Sequence, residues 1–132
     1  MVHAQANDTE EVKAVLDKYK SAIQKLDATG TEQLFTTDSR IYESGSIEGT
    51  YTHYLEHHLA PEFKVFKSFT FSDYKVDVQI DGNYAFTTET YNYAIVVAKD
   101  NLEIKRKGVA TSVLKKIKGQ WKIMVSHSSS RK

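Results

Sequence analysis

The chain has no cysteine, one proline, one tryptophan and no long apolar run among its 132 residues. Without cysteine, disulfide-stapled scaffolds, thiol nucleophiles and thiolate metal sites are excluded, while the redox compartment stays open. No segment approaches the ~18–20 consecutive apolar residues that a membrane-spanning helix needs. Charge of one sign is also missing. The formal net charge is +1, so no strong field points to nucleic acid or to an anionic membrane, and neither is expected as a partner. Phosphate loops, dinucleotide fingerprints and nucleophile elbows are absent, and no cofactor is implied. There are no repeats, linkers or low-complexity stretches, and the length suits one domain with a real core.

What the chain does have is aromatic residues, eight tyrosines and six phenylalanines, which favour strands and an aromatic-lined interior. Asp8 to Leu26 carries Val12, Val15, Leu16, Tyr19, Ile23 and Leu26 on one helical face. Asp8 followed by Glu11 resembles a capping box at its start. Thr31 to Phe35 suggests a short second helix, Arg40 to Glu43 a short strand, and Thr50 to Ala60 a further helix stopped by Pro61. From Val65 the pattern becomes β. Phe69 and Phe71 hold one parity and Tyr74, Val76, Val78 and Ile80 the other, so a β-bulge is expected near Ser72-Asp73. Asp81-Gly82 marks a hairpin turn, and strands follow over Tyr84 to Val97, Leu102 to Ile117 and Gln120 to Ser128.

Residues 1–7 read either as a disordered N-terminus or as a signal-peptide remnant, because Ala4-Gln5-Ala6 has the small-x-small form of a signal-peptidase site. Exported and cytoplasmic locations both stay open. Residues 8–132 read as a single domain. Helices first and a strand meander afterwards give an α+β fold, with N-terminal helices packed on a curved, mostly antiparallel sheet of four to six strands. The concave side of such a sheet is where a pocket would sit.

The closing segment GVATSVLKKIKGQWKIMVSHSSSR is similar to the signature of small stand-alone bacterial members of the nuclear transport factor 2-like, or SnoaL-like, superfamily. There an x-Thr-x-Val-x-x-Lys strand precedes Gly-x-Trp-Lys-Ile and a terminal His-x-Ser. Asp81-Gly82-Asn83-Tyr84-Ala85 matches the turn that opens the middle strand. The resemblance implies a cystatin-like cone, a ligand-sized cavity, a long helix across its mouth, and a homodimer formed through the outer face of the sheet. A ketosteroid-isomerase-like member would need a carboxylate base and an oxyanion-binding tyrosine or protonated aspartate. No aspartate of this chain matches that pattern.

Chemistry-bearing residues cluster in three places. In Tyr51 to Glu62, His53 and His57 lie four apart, the spacing by which two imidazoles on a helix grip one metal ion. His58 falls on the more apolar side with Tyr54 and is expected to point inward, near Glu62 or Glu89. In the middle strand Glu89, Tyr91 and Tyr93 share a face with Ala85, Thr87 and Ile95. A glutamate there needs a wet cavity or a partner, for which His58, His127 and Arg106 are candidates. In the last strand Trp121, Ile123, Val125 and His127 share a parity, which places His127 at the cavity. Glu43 could reach the mouth, and Ser128 to Ser130 with Arg131 read as a solvated tail. The leading expectation is an unknown small organic ligand held by Tyr54, His58, Glu89, Tyr91, Tyr93 and His127. The alternatives are a lyase or isomerase with acid–base residues drawn from His58, Glu89 and His127, and a metal-binding module built on His53, His57 or His58 with a carboxylate.

Overall fold

A computed structural model describes residues 2–132, with side chains from Asn7 onward. Helix α1 (Val2–Lys25) is followed by a 3-10 turn (Thr31–Leu34), β1 (Phe35–Glu43) and β2 (Ser46–Gly49). A helical segment then runs through α2 (Tyr51–Tyr54), a π-helical turn (Leu55–Leu59) and α3 (Ala60–Val65). Four long strands complete the chain: β3 (Phe66–Asp81), β4 (Tyr84–Val97), β5 (Glu103–Ile117) and β6 (Gln120–Arg131). They form one six-stranded sheet in the order β2-β1-β6-β5-β4-β3. Only the β1–β6 pair is parallel. Among the described residues no helix is long and apolar enough to cross a membrane.

The inner face of the sheet is graded from apolar to polar. Ala85, Leu114 and Ile123 are paired across β4, β5 and β6 and are buried. The next inner row is Thr87, Ser112 and Ser126, then Glu89, Ala110 and Ser128, then Tyr91, Gly108 and Ser130. Val12 and Leu16 of α1 close the apolar end, together with Phe35, Tyr51, Leu59 and Trp121. Each such side chain, once buried, contributes roughly 1.5–3 kcal/mol. The Tyr51 ring stacks on Phe35 at 3.8 Å, and its hydroxyl donates to Thr31 Oγ1 at 2.8 Å. That bond lets a tyrosine occupy the core without a stranded polar atom.

Two of the four long strands change phase, and only one of these changes shows in the hydropathy pattern. In β3 the register with β4 shifts between Ser72 and Lys75, and Asp73 sits at φ 51°. This bulge is where the sequence pattern puts it, and it keeps Phe69, Phe71, Tyr74 and Val76 on one face. In β6, Val125 pairs with Val113 but Ile123 pairs with Leu114, so Met124 is the extra residue of a second bulge. Beyond it the parity inverts.

Helix boundaries differ from those read in the sequence. Helix α1 runs back through Ala4-Gln5-Ala6 to Val2, so Asp8 lies inside it rather than capping it. The Asp8 carboxylate instead accepts from Lys116 Nζ at 2.9 Å and from Trp121 Nε1 at 3.1 Å. The Lys116 hydrogen bond is the main reason its carboxyl is held below the usual range. Pro61 does not stop the middle helix either. The Ala60 N–H bonds back to the Leu55 carbonyl, the five-residue step of a π turn, and Pro61 then opens α3. At the start of a helix the missing N–H costs nothing. The widened turn supplies the room that an uninterrupted α-helix would deny the ring.

Candidate functional site

A cavity of about 220 Å³ lies between α1 and the concave sheet, room for about seven waters. Its aromatic wall is built by β3 and β4. Phe69 stacks on Tyr93 at 5.4 Å, and Phe71 meets Tyr91 edge-on at 5.2 Å. The Tyr91 ring lies across Gly108 so closely that a Cβ there would come within 2.3 Å of the ring. The glycine is therefore a packing requirement of the aromatic wall. Ser112, Ser126, Ser128 and Ser130 line the side formed by β5 and β6, and Tyr93 donates to Ser130 Oγ at 3.0 Å.

Two carboxylate groups mark the cavity at different places. The first is Glu89, from the middle of β4. It accepts a hydrogen bond from the Tyr74 hydroxyl, and Lys20 of α1 acts on it as a nearby positive charge. Lys20 Nζ itself sits 3.6 Å from the centre of the Tyr74 ring, a cation–π position. Burial pushes the Glu89 carboxyl up, and the Tyr74 bond and Lys20 only partly oppose this. Burial likewise raises the Tyr74 and Tyr91 hydroxyls, with the Glu89 charge adding to both. Both phenols are thus kept as donors.

The second group is gathered around His58. Its Nε2 lies 3.3 Å from Glu43 Oε1 and 3.3 Å from Glu62 Oε1, and its Nδ1 lies 3.4 Å from Glu48 Oε1. The imidazole can donate from both nitrogens only when protonated. Tyr54 stacks on the His58 ring at 4.9 Å and donates from its hydroxyl to Glu43 Oε2 at 2.8 Å. Tyr54, His58 and Glu62 follow each other at four-residue steps through the π turn, while Glu43 and Glu48 come from β1 and β2. Burial raises the Glu62 carboxyl, against the His58 charge and with the help of Glu43 and Glu48. Glu43 and Glu62 line the cavity; His58 stands behind them at the rim, about one-third exposed.

The expected site residues divide accordingly. Tyr54, Glu89, Tyr91 and Tyr93 line the cavity. His58 meets Glu62, as the sequence suggested, but Glu89 pairs with Tyr74 rather than with His58, His127 or Arg106. His127 is a correction. It is exposed on the opposite face, edge-on to Tyr42 at 6.1 Å, because the Met124 bulge turns it outward. The same bulge brings Ser126 and Ser128 to the cavity, so Ser128 to Ser130 belong to a strand rather than to a tail. His53 and His57 do face the same way, with ring centres 4.2 Å apart, but His53 Nδ1 is engaged by the Glu48 carbonyl at 2.9 Å. Among the described residues no group of three His, Cys, Asp or Glu side chains could hold a metal ion.

Lys20 and Tyr74 escaped the sequence reading. Their signal was present: Lys20 falls between Leu16 and Ile23 on the apolar stripe of α1, and Tyr74 heads the inward series of β3.

Residues 12–131 match the SnoaL-like domain family. The chain belongs to that family. Its fold is the cone of the NTF2-like superfamily. A protein of that superfamily from Salmonella enterica serovar Typhimurium superposes with a TM-score of 0.86 at 20% identity, covering 96% of this chain and 93% of that one. A Streptomyces avermitilis protein, provisionally described as a dehydratase of the NTF2-like family, gives 0.84 at 17% identity over 96% and 98% of the two chains. A Shewanella frigidimarina protein, provisionally described as a ketosteroid isomerase, gives 0.71 at 25% identity over 88% and 92%. A comparison with curated protein sequences returns no match.

Proposed function

We propose that this SnoaL-like domain binds a small organic molecule inside its cone. The observation that carries the reading is the cavity itself, where a stacked aromatic wall meets hydroxyl–carboxylate pairs at two places, Tyr74 with Glu89 and Tyr54 with Glu43. Apolar walls with a few convergent polar groups are what a ligand site requires. The test is a nuclear magnetic resonance screen of aromatic fragments. Amide shifts concentrated on the inner residues of β4 and β5 are the expected outcome. Shifts that are absent, or spread over the outer face, would refute the reading.

A second reading is an acid–base enzyme of lyase or isomerase type. His58 held by Glu43 and Glu62 favours it, since an oriented imidazole is a suitable proton carrier. The provisional descriptions of the Streptomyces and Shewanella proteins as dehydratase and isomerase support the same class. The carriers proposed here are His58 and the glutamates at its rim, with Glu89 acting separately.

We further propose a homodimer through the convex face, where Tyr84, Phe86 and Val109 are exposed on adjacent strands. Sedimentation should show a dimer that Phe86→Glu converts to a folded monomer. A wild-type monomer at all concentrations would refute it.

A further inference from the structure

We propose that the cavity selects an organic cation, a small aromatic amine, over neutral and anionic molecules of the same shape. This rests on the small-molecule reading above and adds the charge of the ligand. Among the described residues the charged side chains lining the cavity are Glu43, Glu62, Glu89 and Lys20. Lys20, which also lies 3.7 Å from Asp17, offsets Glu89 in part. What remains at the rim is Glu43 and Glu62, with Glu48 behind them and one imidazole shared by all three. Even with His58 protonated and a proton on Glu62, that group carries net negative charge. An anionic ligand would meet like charge in a partly desolvated site.

The acceptors there are also incompletely used. Glu43 accepts the Tyr54 hydroxyl on one oxygen, and its other oxygen lies 3.3 Å from His58 Nε2. Glu62 meets His58 through Oε1 alone, and among the described residues no hydrogen-bond donor reaches its second oxygen. A ligand ammonium brings that donor. The rest of the cavity shows how the fold treats an ammonium: Lys20 Nζ is placed over the Tyr74 ring beside Glu89. A ligand amine near Glu43 and Glu62 would find the same combination of carboxylate and aromatic face, with its ring against Phe71 and Tyr91.

The experiment is calorimetric titration of the full chain, at neutral pH and low salt, with three matched probes: tyramine, 2-(4-hydroxyphenyl)ethanol and 4-hydroxyphenylacetate. Tyramine should bind about tenfold or more tightly than the alcohol, and the acid most weakly. Glu62→Gln and Glu43→Gln should each bring the amine-to-alcohol ratio toward one. Glu62, being the more exposed of the two, is the variant to rely on if Glu43→Gln does not fold. The proposal is overturned if the alcohol or the acid binds as tightly as the amine, or if the ratio survives in Glu62→Gln. Binding of the alcohol without preference for the amine removes the charge selectivity alone. Failure of all three probes to bind at millimolar concentration removes the pocket's ligand role as well.

Discussion

Glu89 and Glu43 both line the cavity and both accept from a tyrosine hydroxyl, but they are held in opposite ways. Glu89 rises from the middle of β4, and its partners come from α1 and the neighbouring β3. It has one phenol and one nearby ammonium. Glu43 ends a short strand and shares His58 with two further glutamates. In the first arrangement an ammonium already stands by the carboxylate, and packing fixes both. The second is over-supplied with negative charge and open to solvent. A carboxylate can therefore be a framework element or a binding element within one cavity, depending on whether its counter-charge is already supplied.

The strongest way to disturb both groups at once is Gly108→Ala. The added Cβ meets the Tyr91 ring, which must swing into the cavity space between them. Ligand binding should fall by about tenfold or more, while stability drops by roughly 1–3 kcal/mol; titration and urea unfolding measure the two. Unchanged binding would show that Tyr91 is not part of the site.

A finer comparison sets Tyr74→Phe against Tyr54→Phe. Tyr74→Phe leaves Glu89 with Lys20 alone, and a half-buried carboxylate losing a donor costs about 1–3 kcal/mol. Tyr54→Phe leaves Glu43 still paired with His58 at a solvent-reached rim, so its cost should stay below about 1 kcal/mol. Equal losses in denaturant melts would remove the distinction between the two groups.

The smallest expected effect is in the pH profile. Burial raises the Glu89 and Glu62 carboxyls in the folded state, so folding takes up protons there. Their contribution to stability is fully present below the unfolded-chain value and is lost as pH rises through the folded one. Asp8, held below the usual range by Lys116, runs the other way: its contribution is present above the unfolded value and is lost as pH falls through the folded one. Glu89→Gln and Glu62→Gln should each flatten the decline on the rising side across the mildly acid range, and melting curves at stepped pH measure it.

Much of the fold was legible because apolar periodicity reports burial. The α1 stripe, the β3 bulge and the inward face of β4 were read from apolar residues that match their position, Ala85 and Ile95 in the case of β4. The β3 phase change could be read since Phe71 and Val76 are both apolar and both inward. The β6 phase change could not. Its inward residues beyond Met124 are serines lining the cavity, and its outward ones begin with Val125, so hydropathy points the wrong way. The same cause hid Lys20, a charged residue on an apolar stripe. Sequence pattern follows the apolar part of the interior and fails where the interior is polar, which is where the site lies.

The extra residue in β6 also shows how strand length can set pocket chemistry. Deleting Met124 would remove the bulge and leave the pairs beyond it intact, Ser126 with Ser112 and Ser128 with Ala110, so the serines would keep their places in the cavity. Adding one residue after Val125 while the bulge stays would instead shift every later pair by one: Ser126 and Ser128 would turn outward, and His127 would pair with Ala110 in the row of Glu89. One codon gained in the strand can thus trade a hydroxyl-lined wall for one bearing an imidazole, with the side chains of the other strands untouched. In this cone, an insertion within a strand is a route to new pocket chemistry that no series of point substitutions would reproduce in one step.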